Sequence, residues 1–116
     1  MKFTAIVVIA PDDYEDKAIR YAQRAGATGV TILAGKGIGG EAKKSFLGLT
    51  FEGTQSVLLM VVGRHLTAPI LKELHPLLVK GAESRGLAFA IPIEHLTGID
   101  LRQIGKFEDY LRREDD

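Results

Sequence analysis

The stretch Gly26-Ala27-Thr28-Gly29-Val30-Thr31-Ile32-Leu33-Ala34-Gly35-Lys36-Gly37-Ile38-Gly39 sets the organisation of the whole chain. Residues 28–34 are rich in β-branched and apolar side chains and predict a strand that runs directly into glycines. Glycines at a strand end have no Cβ to hold a ligand away, so their N–H groups can wrap an anion. Gly35-Lys36-Gly37-Ile38-Gly39-Gly40 is also a formal G-x-G-x-x-G. A dinucleotide fingerprint, however, follows the first strand of a parallel βαβ unit and opens its helix, whereas this segment follows the second strand. No G-x-x-x-x-G-K-[ST] occurs in the chain. A flexible hairpin connection and a phosphate cradle are both open readings of these glycines.

Outward from that stretch, the pattern repeats. Residues 3–10 are an almost unbroken apolar run rich in Val and Ile, which reads as a first strand covered on both faces. Tyr14, Ala18, Tyr21, Ala22 and Ala25 recur at helical spacing. Asp12 or Asp13 is placed to cap that helix, Arg20 and Arg24 suit its end, and Gly26 can terminate it. Downstream, residues 35–53 are Gly-rich, carry Lys36, Lys43 and Lys44, and read as a long mobile loop. Residues 56–62 predict a third strand, and Thr67-Ala68-Pro69 opens a second helix bearing Ile70, Leu71, Leu74, Leu77 and Leu78. Pro76 removes one helical hydrogen bond and predicts a kink or an end near His75. Residues 81–86 read as a turn and residues 87–93 as a fourth strand. Asp100 and Gln103 box the start of a last helix with Leu101, Ile104, Phe107 and Leu111, so residues 99–116 are expected to be a helix and a fraying tail.

Two strand-helix-strand units in 116 residues predict a single α+β domain over residues 1–116. The expected fold is a ferredoxin-like βαββαβ: a four-stranded antiparallel sheet, two helices on one face, and the additional C-terminal helix. That arrangement leaves one sheet face bare. Yet Val57-Leu58-Leu59-Met60-Val61-Val62 is apolar on both faces, and so is the first strand. An apolar face of that size on an isolated subunit calls for self-association.

Composition excludes several classes of function. Fifteen basic residues balance fifteen acidic ones, so the long-range positive field of a nonspecific nucleic-acid or acidic-membrane binder is missing. No nucleic acid is expected as a partner. With no Cys, thiolate zinc sites and cysteine nucleophiles are excluded. No uncharged run approaches the roughly 18 residues that span a bilayer, so no membrane insertion is expected. The apolar N-terminal run passes straight into Pro11-Asp12-Asp13 without a small-x-small cleavage pattern, which favours a buried strand over a signal peptide and a cytoplasmic protein. Asp12, Asp13, Glu15 and Asp16 are explained by the helix dipole. His65, His75 and His95 lack metal-ligand spacing, and no metal is predicted.

The segment 26–39 closely resembles the PII signal-transduction family, whose pattern is a G-x-T-G-[MV]-T strand running into K-G-x-G. The long loop, all-apolar third strand, second helix, glycine-bounded turn and final strand follow in the family's order. The resemblance implies a homotrimeric, non-catalytic signalling protein that binds an adenine nucleotide (ADP, AMP or ATP) in clefts between subunits. It would regulate an unidentified transporter or enzyme through a T-loop, here residues 40–51. By position, Thr31 would lie near the adenine and ribose, Val8 and Val61 would line the base pocket, and Gly37 and Gly39 would offer backbone to the phosphates. Residues 80–86, ending at Gly86, correspond to the family's B-loop. Where the family has a phosphate-binding Lys, this chain has Leu87, and Gly98 and Asp100 stand near the positions of later arginines. Lys36, Lys80 and Arg85 are candidates to replace that charge. The loop lacks a Tyr for uridylylation, and Gly40 and Glu41 stand where the family has Gln. The chain therefore reads as a divergent PII-like member. A CutA-like trimeric metal protein and an ACT-like amino-acid-binding module are the alternatives, the first disfavoured by the absence of Cys.

If residues 39–51 are mobile, trypsin should cut first at Lys43 or Lys44 in the ligand-free protein, as read by mass spectrometry of the fragments. Resistance there, unchanged by nucleotide, would show that the loop is no switch.

Overall fold

The computed structural model describes residues 2–35, 45–46, 49–50 and 54–98. Strand β1 (Phe3–Pro11) leads through a 3-10 turn (Asp12–Tyr14) into α1 (Glu15–Arg24) and β2 (Thr31–Gly35). A two-residue pairing of β3 (Ser45–Phe46) with β4 (Leu49–Thr50) precedes the long strand β5 (Gln55–Gly63). A second 3-10 turn (Arg64–Leu66) opens α2 (Thr67–Leu78). The small hairpin β6 (Val79–Lys80) and β7 (Glu83–Ser84) then leads to β8 (Leu87–Ile93).

The main sheet has the order β2-β5-β1-β8 with every pair antiparallel, so β1-α1-β2 and β5-α2-β8 are interleaved split βαβ units. This is the expected ferredoxin-like sheet. The last helix, expected over residues 99–116, lies outside the described residues, as does most of the expected loop 40–51.

The core is set by one register. Thr4, Ile6, Val8 and Ala10 pair with Val62, Met60, Leu58 and Ser56, and all eight are buried beneath the helices. Because side chains alternate along a strand, Ala5, Val7, Ile9, Val57, Leu59 and Val61 belong to the opposite face. Helix α1 meets the sheet with Ala18 and Ala22, four apart on one stripe, and α2 with Ile70, Leu74, Leu77 and Leu78. Small residues on α1 allow its backbone close to the strands, and larger ones on α2 fill the remaining space.

Several details depart from the sequence-based expectations. Neither Asp12 nor Asp13 caps α1; both lie in the 3-10 turn, where the Asp12 N–H donates to the Thr54 carbonyl. Glu15, in the first turn of α1, instead accepts a 2.6 Å hydrogen bond from the buried Ser56 hydroxyl. β2 starts at Thr31, three residues after the predicted start at Thr28. Helix α2 continues through Pro76 to Leu78. Proline there falls in the last turn, where one lost bond is offset by burying Leu77 and Leu78 on the sheet. Gly26 does end the first helical segment: its φ of +119° is open to glycine, and a Cβ there would lie 2.8 Å from Leu66 Cδ2.

Leu58 and its neighbour Leu59 should therefore respond in opposite ways. Leu58→Asp, which places a carboxylate in the sealed layer, should abolish cooperative unfolding in urea, whereas Leu59→Asp should keep the secondary structure seen by circular dichroism.

Candidate functional site

Three strands converge at one end of the sheet. Gln55 pairs with Pro11 of β1 on one side and with Gly35 of β2 on the other. Residues 36–54 thus depart and return at this end, and the Gly35–Gln55 pair closes their base. Gln55 is buried, so the base is packed against the protein. β8 begins at the same end, with Leu87 opposite Ile9.

The turn leading into β8 is pinned there by several contacts. The Arg85 N–H donates to the Leu78 carbonyl at 2.7 Å, and the Ser84 hydroxyl donates to the Gly86 carbonyl at 3.1 Å. Arg85 Nη1 donates to the Tyr14 hydroxyl at 2.7 Å, while Nη2 pairs with Glu83 Oε1 at 3.0 Å. Glu83 and Tyr14 hold the guanidinium pKa above its ordinary high value, so Arg85 is a permanent cation. These side chains are exposed, and the ion pair contributes little to stability. Its effect is positional: it ties the turn after α2 to the turn after β1. Sequence reasoning considered Arg85 alone; its partners Tyr14 and Glu83 could not be read from linear spacing, since Tyr14 lies on a different element.

Gly86 has a packing reason of its own. A Cβ at this position would sit 2.7 Å from the Ile9 carbonyl oxygen, 2.7 Å from Leu78 Cδ2 and 3.1 Å from Ala10 Cβ. Backbone oxygen cannot yield as a flexible side chain can, so glycine is required for β8 to reach β1 whether or not a ligand binds nearby.

The other predicted site residues divide between the two sheet faces. Thr31 pairs with Leu59 and so shares the uncovered face with Val61, which is 44% exposed. Val8 does not join them. It is 0% exposed and packs into the helix-covered layer, opposite Val61 across the sheet. The correction follows from register: Val61 pairs with Ala5 and Leu59 with Val7, so Val7 occupies the face on which Val8 was expected. Lys36, Gly37 and Gly39 lie outside the described residues. Among the described residues, no three His, Cys, Asp or Glu come together as a metal-holding group. No helix among them is long and apolar enough to cross a membrane.

No protein-family model matches the sequence, and no curated protein matches it. Solved structures do match the fold. A PII-like signalling protein of Thermus thermophilus superposes with a TM-score of 0.60 at 20% identity, covering 80% of this chain and 88% of its own. Bacillus subtilis GlnK in complex with ATP gives 0.64 at 16% identity, covering 87% and 90%. The chain has the PII fold. A third PII-fold match is CPII of Thiomonas intermedia bound to ADP, AMP and acetate, with a TM-score of 0.58 at 21% identity over 81% of this chain and 90% of that one. At these identities the likeness lies in backbone architecture, with few side chains in common.

Gly86→Ala should lower stability by about 1–3 kcal/mol, measured as a shift of the urea midpoint. Gly29→Ala, where nothing lies within 4 Å of the added carbon, provides the control.

Proposed function

We propose that this chain is a non-catalytic PII-like signalling protein of the cytoplasm. In this reading it assembles as a homotrimer, binds an adenine nucleotide in the clefts between subunits, and regulates a partner transporter or enzyme through residues 40–51. The observation that carries the reading is the meeting of a PII fold with a glycine segment that starts at Gly35, on the sheet end where β2, β5 and β1 converge. Neighbours of the same fold are bound to ADP and AMP, or to ATP.

Thr31 and Val61, together with Val7, provide the polar contact and apolar surface that suit a nucleoside. The uncovered sheet face supports self-association, because Leu33, Leu59, Val61, Phe89 and Ile91 are all substantially exposed there. Lys36, Gly37 and Gly39 would meet the phosphates at the base of the loop.

Charge supply sets the choice of nucleotide. Leu87 offers no cation, and the nearby Arg85 guanidinium is already engaged by Glu83 and Tyr14. Each missing charge-assisted phosphate contact costs about 1.5–3 kcal/mol, so ATP should gain little over ADP or AMP from its extra phosphate.

Isothermal titration calorimetry with ADP, AMP and ATP tests this directly. ADP or AMP is expected to bind at least as tightly as ATP, and Gly37→Val to abolish binding by placing a side chain against the phosphates. Tight binding of ATP alone would overturn the charge argument, and unchanged affinity in Gly37→Val would remove the glycine segment from the site.

A further inference from the structure

The main sheet has two free edges, and they differ in kind. β2 pairs only with β5, and β8 only with β1. Natural edge strands are commonly blunted by charge, proline or a bulge, since an open row of N–H and C=O groups invites another strand. β2 reads Thr-Ile-Leu-Ala-Gly and has neither charge nor proline. Its two large side chains are about half exposed, Ile32 at 47% and Leu33 at 51%. They point to opposite faces: Ile32 pairs with the buried Leu58, and Leu33 with Val57 of the uncovered face.

That opposition constrains what can cover them. A partner laid flat on the uncovered face shields Leu33 and leaves Ile32 in water, whereas a strand added along the edge flanks both. We infer that β2 pairs edge to edge with β8 of a second copy of this chain, an inference that rests on the trimeric reading above. Pairing β2 with another β2 would generate a two-fold contact and close a dimer; a ring of three needs two different surfaces at each contact. Among the described residues, β8 is the other free edge of the main sheet, and the hairpin strands are two residues each, too short to cover β2. Pro92 donates no N–H, so it ends the pairable part of β8 and leaves residues 87–91, a stretch as long as β2. Phe89 and Ile91 on that stretch share the uncovered face with Leu33, so the pairing joins the apolar faces of successive copies.

The chain has no Cys, which makes cross-linking clean. Ile32 and Ala90 both belong to the helix-covered side of their strands, as their registers with Leu58 and Ile6 show. Copies that merely stacked their uncovered faces would keep these two positions apart. Ile32→Cys combined with Ala90→Cys, treated with a short bis-maleimide, should give covalent species of two and three chains on a denaturing gel, while each single variant remains one chain. Self-cross-linking of Ile32→Cys alone would overturn the inference in favour of a two-fold edge. No cross-link in a double variant that keeps a trimeric mass by light scattering would overturn it while leaving the trimer intact, and a monomeric wild type would overturn both readings. In the unmodified protein, hydrogen exchange should show slowed outward-facing amides in residues 31–35; rapid exchange there in a trimer would also overturn the inference.

Discussion

The antiparallel pairing of β1 with β5 is the constraint on which the rest depends. Each strand is apolar along nearly its whole length, so hydrophobicity alone does not say which half of its side chains faces the helices. The observed register places Ile6, Val8, Leu58 and Met60 in the sealed layer and assigns Val7, Leu59 and Val61 to the outside. A slip of one residue would exchange these sets. Every later feature inherits this choice: the layer that α1 and α2 cover, the composition of the uncovered face, and the residues that can reach a ligand at it.

A second consequence is the separation of packing from binding at the sheet end. Gly86 is needed for β8 to pass the Ile9 carbonyl, and Gln55 anchors both neighbouring strands; each has a structural role without any ligand. The residues left for recognition stand on the uncovered face or in the connection after Gly35. The Arg85–Tyr14–Glu83 contacts join the two turns flanking this region, which keeps the entry to β8 in place relative to the exit of β1. An ordered frame around a variable connection is a common way to place function on a stable fold.

The uncovered face and the bare β2 edge are one problem in two directions. Apolar side chains exposed above the sheet and along its border both lose water contact when copies assemble, and a hetero-edge contact addresses both together. The glycine segment begins at the end of the same edge strand, so nucleotide binding and subunit contact would meet on β2.

Much of this was legible in the amino-acid sequence. Alternating runs of apolar strand and helical periodicity gave the βαββαβ order, because periods of 2 and 3.6 are local properties of the chain. The likeness to PII proteins was legible in residues 26–39, and β8 was read with its observed bounds, Leu87–Ile93. Strand register was not legible, because two strands apolar on both faces provide no contrast for locating the core; Val8 was therefore placed on the wrong face. Nor were the contacts of Arg85 with Tyr14 and of Ser56 with Glu15, which join elements 71 and 41 residues apart. Local chemistry is written in neighbouring residues, whereas the pairing of distant ones is decided only when the tertiary structure brings the strands into register.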